Sequence, residues 1–270
     1  MTTVQQFIRQ DGIRQIITGS ILILIMAFFI ISLFFTGQAG LWISAVYSLA
    51  FGLAGLAIFK SGWEDYMSAM NYEDFKADTT YEKISVFPQR MYIGHRPASI
   101  FHANFYDMDG KSYSEIKQHT VLDIKVFRAF VAFFSGGSLM PAAYNMFIGD
   151  AHVYTIDKKG GFKWRGYVHQ LDRGVVAYTS QERISGKSIF RYIEGEQCRF
   201  QAEGDAYIGH FEVKDYQGKV WAVVKRDAIP KEAADRFSKM PGYLVDWKIR
   251  KDIPYSLLAF LFLMQTNTNV

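Results

Sequence analysis

Apolar side chains are arranged along this chain in three ways, and each predicts a different element. Residues 16–35, "IITGSILILIMAFFIISLFF", and 41–59, "LWISAVYSLAFGLAGLAIF", are runs without a charge. At 1.5 Å per residue, about 20 such residues cross the roughly 30 Å hydrocarbon layer of a bilayer, so both read as transmembrane helices. From about Ser85 the pattern changes to alternation with period two, the signature of half-buried strands. Near the C-terminus the run "SLLAFLFLM", residues 256–264, is apolar all round but about half the length of a span. A helix with no polar face has to be buried, and this one is too short for lipid.

The two long runs are joined by "TGQAG", which leaves room only for a tight turn, so they predict a helical hairpin with both ends on one side. Ser48 and Gly52 offer a small-residue face for close packing. Arg9 and Arg14 precede the first span and Lys60 follows the second, while the turn is uncharged. The positive-inside tendency therefore predicts a two-span cell-membrane protein with both termini cytoplasmic. Residues 60–84, with Trp63, Met67 and Met70 at helical spacing among acidic residues, predict a juxtamembrane amphipathic helix or linker. A third uncharged stretch, 129–149, contains Gly136-Gly137, Pro141, Ser138 and Asn145. Those residues break a helix or resist lipid, so an apolar loop or short interfacial helix is expected there instead of a span.

The alternating region, 85–270, reads as antiparallel hairpins. "SIFHANFYD" and "KSYSEIK" flank Asp109-Gly110, and the same phrase recurs in "HVYTIDKKGGFKWRGYV" and "IGHFEVKDYQGKVWAVVKR". Each sets Asp and Gly, the residues of tight turns, between two strand-like runs. "KSIFRYIEGEQCRFQAEG" pairs two more, and "YLVDWKIR", 243–250, is a last strand. Many hairpins in series leave exposed edges unless the sheet closes, and a closed sheet needs filling. The apolar C-terminal run answers that need, predicting a closed β-barrel around a helix at 254–265, with Pro254 in the helix's first turn.

This order of elements resembles the superfamily of tubby C-terminal, phospholipid scramblase and LURP-one-related domains. The resemblance rests on "FEVKDYQGKVWAVVKR" and on "GYLVDWKIR" running directly into "DIPYSLLAFLFLM". It implies a closed antiparallel barrel around a hydrophobic C-terminal helix, and binding of phosphorylated lipid headgroups by basic barrel residues. The chain departs from that pattern in its two preceding spans and in the polar tail "QTNTNV".

Composition adds location more than chemistry. The net charge of +4 includes a local excess within 151–200, too mild overall to predict a nucleic-acid binder. Cys198 is the one cysteine, so no intramolecular disulfide forms, in keeping with a reducing compartment. Beside Arg199 it could be an activated thiol, although a buried or idle cysteine is the plainer reading. Asp107-Met108-Asp109-Gly110 starts like a calcium loop, but its Gly is fourth instead of sixth, which predicts a hairpin turn. The six His have no metal-ligand spacing, and no phosphate loop or nucleophile elbow occurs. The expectation is a non-enzymatic protein without cofactor, metal or nucleic-acid partner.

One segment has a physical direction. In "DKKGGFKWRG", Lys158, Lys159, Lys163 and Arg165 crowd a hairpin tip with Phe162 and Trp164, a mixture that an anionic membrane surface attracts. These six are the candidate lipid-binding residues. The functional expectation is a membrane-anchored barrel that binds anionic lipid headgroups or a partner protein. The alternatives are scramblase-like lipid translocation and an immunity-type protein that only docks another protein.

Overall fold

The computed structural model describes residues 4–35, 37–70, 83–95, 102–119, 141–160, 164–170, 174–184, 186–195, 197–205, 209–229, 231–238, 240 and 242–267. The chain divides into two compact units, one helical and one built from strands.

The helical unit consists of α1 (Val4–Ser32) and α2 (Gln38–Met70). Stretches within them, Gln6–Ser32 and Gly40–Ala69, are long and apolar enough to cross a membrane. Their outward side chains agree: Ile17, Leu24 and Phe28 of α1, and Val46, Leu49 and Leu56 of α2, are all exposed. The two helices meet along a glycine seam. A β-carbon on Gly19 would stand 2.7 Å from the Gly55 carbonyl oxygen, and one on Gly62 2.7 Å from that of Gly12. Any side chain there would force the backbones apart. Of the small residues expected at this face, Gly52 is buried against Met26, whereas Ser48 is only half-buried. Ser44, one turn away, exchanges a 3.0 Å hydrogen bond with Ser32.

The helix expected over 60–84 is, as far as Met70, a continuation of α2; residues 71–82 lie outside the described residues. Its amphipathicity is also inverted. Gly62, Asp65 and Ala69 face α1, while Trp63 and Met67 are exposed. The unbroken stretch of α2 explains this, because the glycine seam fixes which face continues against α1.

The second unit begins with β1 (Lys83–Val86) and then winds through twelve strands: β2 (Arg90–His95), β3 (His102–Asp107), β4 (Ser112–His119), β5 (Ala142–Ile148), β6 (Ala151–Lys158), β7 (Gly166–Gln170), β8 (Gly174–Ile184), β9 (Lys187–Glu194), β10 (Gln197–Asp205), β11 (His210–Asp215), β12 (Val220–Arg226) and β13 (Gly242–Trp247). Each pairs antiparallel with its neighbour in sequence, and β13 pairs with β2 through Tyr243 opposite Ile93 and Val245 opposite Met91. The sheet thus closes without a free edge. The apolar stretch at 129–149 contributes β5 from Ala142 onward; residues 129–140 lie outside the described residues.

Eight strands make a barrel whose interior side chains fill it, and twelve leave a wider lumen. That lumen holds α4 (Tyr255–Asn267), whose residues Leu257 to Met264 are each at most 3 % exposed. Inward residues of the strands surround it, among them Phe105, Ile116, Phe190, Phe211 and Val245. Phe260 lies against Tyr192 and Phe200, and Tyr144 meets Phe262 edge-on at 4.9 Å. Gly166 of β7 is where the helix comes closest, since a β-carbon there would overlap Leu263. Gln265, also buried, donates its side-chain amide to the Ile93 carbonyl.

The expected strand at 243–250 stops short at Trp247, and the helix expected from Pro254 starts one residue later. β13 ends at Trp247, and β14 (Lys251–Pro254) pairs with β1 in a separate ribbon. Between them Lys248 and Ile249 give their amides to the Trp221 carbonyl. The chain turns here to enter the lumen, and Pro254 ends the strand one residue before the helix. Phe87, packed on Trp247 and Tyr113, closes the barrel where α4 enters. A short helix α3 (Ala234–Phe237) lies outside the barrel, with Phe237 stacked on Tyr92 at 4.7 Å.

Candidate functional site

Among the described residues of the expected basic tip, Lys158 and Trp164 are buried. Along β6, Ile156 points into the core, and Lys158, two residues on, shares its face. Lys158 is therefore buried inside the barrel, 4 % exposed. Its register partner is Gly166, the residue that abuts Leu263, so the lysine stem lies level with the last turns of α4. The negative end of the helix dipole favours an ammonium there. Burial nonetheless pulls its pKa down to about 8.

Trp164 is likewise a core residue. It packs edge-on against Phe190 at 5.0 Å and its indole N–H donates to Thr266 Oγ1. Arg165 is half-buried, and Phe162 and Lys163 lie outside the described residues. Lys159 belongs to the helical unit, where its ammonium stands 2.6 Å from Asp65 Oδ1. The other Asp65 oxygen accepts from the Gln15 amide at 2.7 Å, and Gln15 Oε1 accepts from Ser61. Of the six candidates, then, Lys158 and Trp164 serve the barrel interior and Lys159 a buried polar network. Alternation along β6 puts Lys158 on the inward face of Ile156, which the bare sequence of charges does not reveal.

The remaining chemistry resolves into structure. Asp107 Oδ1 accepts the backbone N–H groups of Asp109 and Lys111, and Asp215 Oδ1 those of Gln217 and Lys219. Gly110 and Gly218 supply the positive φ that each turn requires. The carboxylates are thus spent on their own loops, and the described residues contain no group of His, Cys, Asp and Glu arranged for a metal. Burial pushes the Cys198 thiol up, outweighing the opposite pull of Arg191. Arg199 instead grips both Glu194 oxygens, at 2.5 and 2.7 Å.

A different basic surface emerges where α4 enters the barrel. Lys83, Lys219, Lys248, Arg250 and Lys251 are all exposed. The β1–β14 register sets Lys83 opposite Pro254 and Val86 opposite Lys251, and the Lys248 amide bonds to Trp221, two residues from Lys219. Carboxylates stand here too: Asp246 pairs with Lys248 at 3.3 Å, Asp252 is exposed, and Asp215 accepts from the Lys219 backbone and the Trp221 indole. "DWKIRKD" carries the signal in sequence, but its convergence with Lys83 depends on the pairing of Lys83 with Pro254, 171 positions along the chain.

No model of a known protein family matches this chain, and no curated protein does. Among solved structures, an X-ray structure of a protein from Arabidopsis thaliana aligns over 69 % of this chain and 95 % of its own, at 12 % identity and a TM-score of 0.43.

Proposed function

We propose that this protein is a membrane-anchored binding module of the tubby-like type, in which α1 and α2 hold the chain in a bilayer and the outer barrel surface binds anionic lipid headgroups. The observation that carries this reading is the filling of the lumen by α4. With Leu257 to Met264 occupying the interior, recognition falls to the outside of the barrel, where the basic corner of Lys83, Lys219, Lys248, Arg250 and Lys251 offers positive charge. Each cation near an anionic surface is worth about 1 kcal/mol. Translocation is not part of the proposal, since the outward faces of both helices are apolar and give a headgroup no polar track.

The test uses the full chain in nanodiscs of neutral lipid, mixed with fluorescent vesicles that are neutral or contain phosphatidylserine. Capture of the anionic vesicles alone is expected. Triple reversal to Glu at Lys248, Arg250 and Lys251 should weaken capture at least about 100-fold without changing the melting temperature. Equal capture of neutral and anionic vesicles would remove the lipid reading and leave protein docking as the function of the same surface.

A further inference from the structure

The helical hairpin ends with a tip whose depth is fixed by charge and length. Residues 15–59 contain no Asp, Glu, Lys or Arg, and the nearest charged side chains are Arg14 on α1 and Lys60 on α2. The glycine seam sets the register of the two helices, Gly12 against Gly62 and Gly19 against Gly55. In that register Arg14 and Lys60 stand at the same level. Two charges that bound the uncharged section at one height describe a single membrane surface, with the rest of the hairpin on its apolar side.

From that level to the end of α1 at Ser32 the helix rises about 27 Å, and the turn adds a few more, close to the roughly 30 Å of a hydrocarbon core. The tip is aromatic. Phe34 and Phe35 are each 84 % exposed and Trp42 is 78 % exposed. On α2, Trp42 and Trp63 are separated by about 32 Å of helix, the spacing of the two interfacial layers in which indole rings settle. The connection between Phe35 and Leu41 is the five-residue uncharged turn 36–40, too short to form a loop that reaches far into the opposite aqueous phase.

We infer that the hairpin tip ends within the far interface, held there by Phe34, Phe35 and Trp42, so that this segment exposes nothing to the opposite compartment. The partner of this surface is the headgroup and acyl boundary of the distal leaflet. Beyond Arg14 and Lys60, the remaining turns of both helices form a stalk on the near side. A buried polar network marks that level: Ser61 and Asp65 lie in the stalk, and Gln15, the first residue of the uncharged section, hydrogen-bonds to both. The inference rests on the membrane reading above, and extends it to a depth and a topology.

The test is site-selective labelling of the full chain in sealed proteoliposomes, with Cys198 replaced by Ser. Gly37→Cys is suitable because a side chain at Gly37 meets nothing within 4 Å; Ile43→Cys, exposed beside Trp42, is the second tip position, and Glu64→Cys marks the exposed stalk. A membrane-impermeant maleimide should modify Glu64→Cys from the near side rapidly. It should modify both tip cysteines at least tenfold more slowly from either side, and an environment-sensitive fluorophore at Gly37→Cys should report an interfacial polarity. If the chain resists alkaline extraction while Gly37→Cys reacts from the far side as fast as Glu64→Cys does from the near side, the tip emerges and the inference falls. Release of the chain by alkaline extraction, with all three positions equally reactive, would instead overturn the membrane reading itself.

Discussion

α4 and the hairpin helices are built from the same kinds of side chain, and their apolar surfaces go to different places. Phe260 on α4 is fully buried, while Phe28 on α1 is 68 % exposed. Neither helix has a polar face, so amphipathicity does not distinguish them; length and partners do. α1 and α2 have 29 and 33 residues, more than a bilayer demands, and bury against each other only a narrow seam. α4 has 13, fewer than a span requires, and a twelve-stranded sheet surrounds it on every side. An uncharged helix is therefore not by itself a membrane helix: the sheet that precedes it in the chain can supply the apolar surroundings.

The largest effect that separates the two regions is expected from truncation. Phe260→Ala leaves a cavity between Tyr192 and Phe200 and should cost about 3–5 kcal/mol of barrel stability, read as a fall in denaturation midpoint. Phe28→Ala should leave that midpoint unchanged, since its ring faces outward. Equal losses would break the comparison.

Next comes the buried lysine. Lys158 has a folded-state pKa near 8 against an ordinary 10.5. The unfolded chain keeps its proton up to the higher value, so barrel stability rises with pH between about 8 and 10.5, and below 8 the full cost of burying the charge is present. Lys158→Met should remove that rise and stabilise the barrel at pH 7 by at most about 3 kcal/mol, at 1.36 kcal/mol per pKa unit. A pH-dependence that survives the substitution would show that Lys158 is not its source.

Gly55→Val acts on the other region. Its side chain would strike Gly19 and Ile23, so the hairpin should splay at a cost of about 1–3 kcal/mol. Spin labels at the exposed positions 13 and 63 should move apart while the barrel melts as before. The smallest effect is expected at the turns. Asp215→Ala removes the acceptor for two backbone N–H groups and the Trp221 indole, and should cost about 1–2 kcal/mol in the same denaturation assay.

How far the sequence discloses this fold follows the range of the interactions. The turns with Asp107–Gly110 and Asp215–Gly218 were legible, because an aspartate, a glycine and two flanking alternating runs act within a few residues. The helix in the barrel was legible by exclusion, from its length and the lack of a polar face. Less visible were β5, hidden at the end of an apolar stretch behind Pro141, and the division of 243–250 into β13 and the approach to β14. β5 is paired locally, with Ile148 opposite Ala151 of the next strand, but its apolar residues show no alternation; the division of 243–250 depends on partners far away in the chain, as Val245 does on Met91 and Lys251 on Val86. Part of the expected tip is buried, for a reason of the same kind. Basic and aromatic residues adjacent in "DKKGGFKWRG" look like one patch, but strand alternation sends Lys158 inward, and Trp164 packs on Phe190 in the core. The glycine seam had a signal that went unused, the seven-residue spacing shared by Gly12 and Gly19 on one helix and Gly55 and Gly62 on the other.

The central claim is that the C-terminal helix is enclosed by its own sheet, and the most direct measurement of it is thiol accessibility at the middle of that helix. Ala259 is fully buried and small, so Ala259→Cys in a Cys198→Ser background should fold normally. The thiol is expected to stay unmodified by a water-soluble maleimide for as long as the barrel remains folded, in detergent or in lipid, and to react at once in denaturant. Modification in the native protein at the rate of a free thiol would mean that α4 lies outside the barrel, contradicting the fold and the outward-facing function drawn from it.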